Sequence, residues 1–235
     1  MKNLLLASTS TLHGQDYLEY LIPTLKSHFS GCSEILFIPY ARPGGISHDD
    51  YTTTAKTAFE KAGLQVKGLH EFSTPAEAVK RAEGIFTGGG NTFLLVQQLC
   101  NYDLLPVLKE VLKNGTPYMG TSAGTNIAGL SMKTTNDMPI VYPPSFTTLG
   151  AVPFNINPHY LDPDPNSTHK GETRETRIKE FHNFNTPPVV GLREGSWLEV
   201  KGKDIRLKGR LNARIFEAGQ EPYEVEPETL LNDLT

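Results

Sequence analysis

The sequence predicts an α/β fold, a mostly parallel sheet with helices on both faces, in one domain spanning residues 1–235. Three observations carry that reading. Short apolar runs of strand length alternate with segments of helical period from residue 4 onward. Glycine-bearing loops close two of those runs and open helices, the place where open α/β sheets bind ligands. The chain, at 235 residues, is also long enough to bury a full core.

Leu4-Leu5-Leu6-Ala7-Ser8 is a continuous apolar run of strand length, and Tyr17, Leu18, Leu21, Ile22 and Leu25 follow it at helical spacing. Ile35-Leu36-Phe37-Ile38-Pro39-Tyr40 makes a second strand. It leads through Arg42-Pro43-Gly44-Gly45 to a helix capped near residues 47–50 and stopped at Gly63. Residues 66–70 read as a third strand, 75–82 as a short helix, and Gly84-Ile85-Phe86-Thr87 as a fourth strand running into Gly88-Gly89-Gly90. Helices are expected over 93–99 and 104–113, the second ending at Asn114-Gly115, and a strand over 116–119. Residues 123–130 have a small-residue helical pattern. Residues 131–171 are rich in Pro, Thr, Asn and Asp and show little periodicity, so a long loop is expected, functional or disordered. A charged helix opens at Lys170, and Val189-Val190-Gly191-Leu192 is a late strand. Residues 197–200, 205–207 and 214–217 then alternate like an antiparallel hairpin or meander. The acidic tail from Glu221 is expected to pack loosely.

Composition narrows the function. Twenty-two basic and 26 acidic residues are scattered evenly and give a net charge of −4, which disfavours nucleic acid as a partner. Cys32 and Cys100 lack metal-ligand spacing and read as buried thiols of a reducing compartment. The first residues hold too short an apolar core for a signal peptide, and no run approaches the ~18 apolar residues of a membrane span. A soluble, cytoplasmic protein is expected.

The chemistry concentrates in Gly120-Thr121-Ser122-Ala123-Gly124, a G-x-S-x-G pattern between a strand and a helix. Such an elbow needs small flanking residues because the turn leaves no room for Cβ atoms, and it exposes the serine Oγ beside unpaired helix N–H groups. A plain Gly-Ser-Gly turn is the alternative. Gly88-Gly89-Gly90-Asn91-Thr92 belongs on the same rim and reads as either an oxyanion-hole donor or a simple left-handed turn. Without a following Gly-Lys-Ser/Thr it is not a phosphate cradle. Of the seven histidines, His159 stands out for its apolar and amide neighbours and the proline before it, a setting in which a neutral imidazole can serve Ser122. Of the others, His13, His28, His48 and His70 read as loop or surface residues, and His169 and His182 fall in a polar loop and a charged helix. The run 170–177 is either a solvated ion-paired face or the source of a guanidinium that clamps a substrate carboxylate. Glu194, at the carboxyl end of the late strand, can orient a histidine. No metal is implied: Asp162, Asp164 and His169 form only a loose, solvated cluster.

Taken together, Gly88-Gly89-Gly90-Asn91-Thr92-Phe93, the elbow, Thr134-Thr135-Asn136-Asp137-Met138-Pro139-Ile140, Asn157-Pro158-His159, Gly171-Glu172-Thr173-Arg174 and Glu194-Gly195 resemble peptidase E, the α-aspartyl dipeptidase family of serine peptidases. The resemblance implies a flavodoxin-like fold akin to class I glutamine amidotransferases, and hydrolysis of dipeptides with an N-terminal aspartate, without a cofactor. It implies Ser122 as nucleophile, His159 as general base, the N–H groups of Gly90 and Ala123 as oxyanion hole, and Arg174 as partner of the aspartyl carboxylate. Asp137 and Glu194 both match positions for the acid that orients the histidine. Glu194 is preferred because a strand end positions a side chain better than a long loop, leaving Asp137 for the substrate ammonium group. Thr121 departs from the family, which usually carries tryptophan there. The alternatives are a cyanophycinase-like peptidase cleaving β-linked aspartyl bonds and a non-catalytic domain that binds a small anion. The expected assembly is a monomer or homodimer.

Overall fold

The computed structural model describes residues 1–164, 166, 168 and 171–234. Strand β1 (Asn3–Ala7) leads through a 3-10 turn to α1 (Ile22–His28). This helix starts later than its apolar spacing suggests, because Leu18 takes a left-handed conformation (φ 59°) that breaks the pattern. Next come β2 (Glu34–Ile38), α2 (His48–Glu60), β3 (Gln65–Gly68), α3 (Pro75–Arg81) and β4 (Gly84–Thr87). The Ser47 hydroxyl caps α2 by accepting the Asp50 N–H at 3.0 Å. Asn91 caps α4 (Thr92–Asn101) in the same way, and Gly115 (φ 104°) ends α5 (Leu104–Asn114) in the left-handed turn expected there.

Strand β5 (Tyr118–Thr121) then meets α6, which is only Ala123–Asn126 and not the eight-residue helix that the pattern predicted. Past Asn126 the α-helical pairing is lost: the Ala128 and Gly129 N–H groups donate three residues back, to Thr125 O and Asn126 O, and the Leu130 N–H donates to Phe154 O of the returning loop at 3.2 Å.

The seven-stranded sheet has the order β3-β2-β4-β5-β1-β8-β9, with β8 (Ser196–Lys201) and β9 (Asp204–Gly209) as the expected C-terminal hairpin. The first five strands are parallel; β8 joins β1 antiparallel, Leu6 opposite Leu198. Helices α1 and α2 cover one face through Leu25, Phe29, Tyr51 and Phe59, and α3, α4 and α5 cover the other through Val79, Leu95 and Leu108.

A second, four-stranded sheet was not anticipated. Its order is β11-β10-β7-β6, from β6 (Asn155–Pro158), β7 (Val189–Leu192), β10 (Ala213–Phe216) and β11 (Tyr223–Val225). Strand β6 lies inside the segment read as loop, and β10 leaves the meander to pair with β7. The tail also differs from expectation: Leu231 and Leu234 are buried, and the Leu231 N–H donates to Ile205 O at 2.8 Å. Helix α7 (Arg174–His182) begins four residues later than predicted, with Thr173 as its cap; Lys170 and His169 lie outside the described residues.

Candidate active site

Four chain segments meet beyond the strand ends. After β4, the chain passes through three glycines, each of them required. A Cβ on Gly88 would lie 2.5 Å from the Tyr51 hydroxyl oxygen, one on Gly89 would lie 2.9 Å from Ser122 Cβ, and one on Gly90 would overlap Ala41 O. Gly90 also takes φ 144°, a conformation closed to other residues. After β5, Ser122 turns the chain with φ 53° and ψ −111°, a strained conformation for a residue with a side chain, as an elbow demands. The N–H groups of Gly90 and Ala123 donate to no acceptor among the described residues.

The second sheet delivers the histidine. His159 follows β6 with φ 53°, again left-handed, and its backbone N–H donates to the Ser8 hydroxyl at 2.9 Å. Buried Ser8 in turn donates to Leu192 O at 2.7 Å, so one hydroxyl ties the ends of β6 and β7 to the end of β1. Asn126 of α6 donates to Ile156 O at 2.7 Å and thereby couples the elbow helix to the strand that carries His159.

Glu194, not Asp137, meets the imidazole: His159 Nδ1 to Glu194 Oε1 is 2.6 Å. With Nδ1 donating there, Nε2 is the basic nitrogen. The residue before it anchors Glu194. Arg193 forms a bidentate pair with Asp162 (2.8 and 2.6 Å) and a second with Glu224 (2.8 and 2.9 Å). Asp162, read from the sequence as solvated, is thus a structural ion-pair partner.

Asp137 Oδ2 accepts the Thr92 N–H at 2.7 Å, at the start of α4, and the Thr135 hydroxyl at 3.0 Å. Its Oδ1 has no partner among the described residues. The loop that carries it is pinned to β6 by amides: Asn136 donates to Pro158 O at 2.7 Å, and Asn157 donates to Thr134 O and Asn136 Oδ1, both at 2.8 Å. Arg174, at the first turn of α7, makes no salt bridge or side-chain hydrogen bond among the described residues. Desolvation, then the neighbouring Arg177, press its pKa down and Asp137 opposes them; it remains a cation looking for an anion.

Ser122, Ala123, Asp137, His159 and Arg174 line one cavity of about 270 Å3, closed by Thr92, Thr135, Asn136 and Pro158. That volume lies at the small end of ligand pockets. A larger groove of about 810 Å3, behind Glu194 and walled by Tyr20, Trp197 and Lys208, is lined by neither Ser122 nor His159. Thr121 is fully buried at the end of β5 and does not line the cavity. Sequence reasoning missed Ser8, Asn126, Asn136 and Asn157. The two asparagine-rich islands were visible as motifs, whereas nothing local marks Ser8 or Asn126.

No group of three or more metal-binding side chains stands together among the described residues, and no helix there is long and apolar enough to cross a membrane.

Residues 4–208 match peptidase family S51. The chain is 50% identical over 232 residues to a protein of Streptomyces coelicolor named Peptidase E, covering 99% of this chain and 94% of that one. It is 48% identical over 237 residues to a "Probable alpha-aspartyl dipeptidase" of Drosophila melanogaster, covering 100% and 96%. In three dimensions it resembles a peptidase from an acI-B1 actinobacterium, with a TM-score of 0.73 over 98% of this chain and 96% of that one, at 20% identity.

Proposed function

The chain belongs to peptidase family S51, and we propose from this that it is a serine dipeptidase, hydrolysing dipeptides with an N-terminal aspartate through an acyl-enzyme on Ser122. The observation that carries the reading is the small cavity in which a strained, half-buried serine, a histidine held by a carboxylate and an arginine with no ion-pair partner among the described residues converge.

In this mechanism His159 Nε2 takes the Ser122 hydroxyl proton as Oγ attacks the scissile carbonyl, and Glu194 stabilises the imidazolium through Nδ1. The N–H groups of Gly90 and Ala123 receive the tetrahedral oxyanion. The imidazolium returns the proton to the leaving amine, and water, activated by the same nitrogen, releases aspartate from the ester. Arg174 pairs with the substrate side-chain carboxylate, and Asp137 Oδ1 accepts the α-ammonium group, which restricts the enzyme to free N-termini. A substrate without the carboxylate leaves Arg174 desolvated and uncompensated, so selection is by charge. The two free cysteines fit a cytoplasmic location.

The test is hydrolysis of α-Asp-Leu, β-Asp-Leu, Glu-Leu and Ala-Leu by wild type and Ser122→Ala, with a chelator present. Cleavage of α-Asp-Leu alone, by wild type alone, is expected. Preference for β-Asp-Leu would move the protein to the cyanophycinase-like alternative, and equal rates on Asp-Leu and Ala-Leu would strip Arg174 of its role.

A further inference from the structure

We propose that Tyr51 is a positioning residue of the oxyanion hole: its hydroxyl, by holding the carbonyl of Gly89, aims the N–H of Gly90 at the reacting centre. The inference rests on the acyl-transfer reading above and concerns how one of its two donors is kept in place.

The carbonyl of Gly89 and the N–H of Gly90 belong to one peptide unit. That unit is trans, so the two groups point in opposite directions and fixing one fixes the other. The Tyr51 hydroxyl donates to Gly89 O at 3.2 Å. The peptide it holds lies against the nucleophile, since a Cβ on Gly89 would sit 3.5 Å from Ser122 Oγ.

The two donors are supported differently. The Ser122–Ala123 peptide is locked by backbone alone, because Ser122 O accepts the N–H groups of Thr125 at 3.0 Å and Asn126 at 2.8 Å. In the glycine loop the backbone anchors only the flanks: Gly88 N–H donates to Ile38 O at 3.2 Å and Asn91 N–H to Ala41 O at 2.7 Å. Between them, the Gly89–Gly90 unit has one hydrogen bond among the described residues, the one from Tyr51. A peptide between two glycines has little steric resistance to rotation. Turned over, it would present a carbonyl oxygen to the oxyanion instead of an N–H.

Tyr51 itself is rigid. It is 1% exposed, packs edge-on against Phe37 at 4.9 Å, and carries the Arg42 guanidinium over its ring at 4.6 Å. Its hydroxyl accepts from Tyr17 at 3.3 Å. The chain Tyr17 to Tyr51 to Gly89 therefore runs in one direction, each O–H polarising the next.

The experiment compares wild type, Tyr51→Phe and Tyr17→Phe in steady-state hydrolysis of Asp-Leu. It also measures the rate at which a serine-reactive phosphonate, whose tetrahedral adduct needs the same hole, labels Ser122. Tyr51→Phe keeps the ring and the core. Its kcat should fall roughly 10–100-fold, below the full loss of a donor, with KM within about twofold. Labelling of Ser122 should slow by about the same factor, while Tyr17→Phe, which leaves the Tyr51 hydroxyl in place, should lose only a few-fold. A purely structural role would lower the melting temperature and the active fraction without this split. An unchanged kcat and labelling rate in folded Tyr51→Phe would overturn the proposal. Should wild type cleave no aspartyl dipeptide, the labelling rates still decide the role of Tyr51, and the substrate assignment fails separately. Should Tyr51→Phe not fold, an unchanged Tyr17→Phe labelling rate counts against the relay.

Discussion

At the scale of single residues, two carboxylates within reach of one site have been given different work by their partners. Glu194 Oε1 is spent on His159 Nδ1, while Asp137 Oδ2 is spent on the first turn of α4 and its Oδ1 has no partner among the described residues. The consequences differ in kind. Glu194→Gln keeps the shape but offers an amide that can present N–H to Nδ1, favouring the wrong tautomer; kcat should fall by roughly 10^3-fold or more with KM little changed. Asp137→Asn should raise KM at least about tenfold with a smaller effect on kcat, and cost about 1 kcal/mol of stability through the helix start it serves. Steady-state kinetics on Asp-Leu separates the two, and a Glu194→Gln enzyme with near-normal kcat would remove the orienting role proposed for Glu194. Strain has the same address: Ser122 and His159 both take left-handed backbone, and both are held there by hydrogen bonds from other segments.

At the scale of elements, junctions between sheets and helices are buried and polar, which makes them sensitive to pH. His28, the last residue of α1, is 4% exposed and its Nε2 donates to Tyr118 O at 3.0 Å in β5. Burial, then nearby Lys201, push its pKa down to about 3. The folded state therefore refuses a proton that the unfolded chain accepts near the ordinary histidine value. This contribution is complete above pH ~6.5 and is lost as pH falls toward 3. Between pH 7 and pH 5 it amounts to about 2 kcal/mol of unfolding free energy. Urea unfolding at the two pH values should show that loss in wild type and a flatter dependence in His28→Gln. Identical slopes would exclude His28 as the source.

At the scale of the whole molecule, the candidate site exists only because two sheets meet. The seven-stranded sheet supplies Gly90, Ser122 and Ala123, and the four-stranded sheet supplies His159 and Glu194 from the ends of β6 and β7. Ser8 and Asn126 stitch the two together. The C-terminal segment closes the assembly. It adds β11 to the second sheet, brings Glu224 to Arg193 beside Glu194, and buries Leu231 and Leu234 in the core cluster that begins at Leu4. Deleting residues 221–235 should therefore cost roughly 3–5 kcal/mol, most of it from the two leucines, and lower kcat through the loosened Arg193. Thermal unfolding with activity measured on the truncated chain checks this. A truncated protein as stable and active as the intact one would show the tail to be ornamental.

The sequence by itself determined the alternation of strand and helix, the β8–β9 hairpin, the glycine loop and the serine elbow. Each is written in short-range terms: apolar periodicity, caps at Ser47 and Asn91, and glycines where no Cβ fits. Tertiary structure decided the rest. Asn-Ile-Asn-Pro looks like loop because its asparagines are polar, yet β6 forms beside β7, with Asn155 Oδ1 accepting the Ser131 N–H and Asn157 Nδ2 donating to Thr134 O and Asn136 Oδ1. The eight-residue helix expected after Ser122 stops at Asn126 because the next N–H groups turn to i−3 carbonyls and that of Leu130 is taken by Phe154 O of a distant loop. Both Asp137 and Glu194 match the family pattern for the acid at His159, and only the strand-end position of Glu194 favoured it in the sequence. The choice was made by strand pairing, which sets the end of β7 beside the end of β6, and by Thr92 and Thr135, which occupy the other carboxylate. Local pattern encodes what a segment does with its own backbone. Which segments meet depends on partners that no window of the sequence contains.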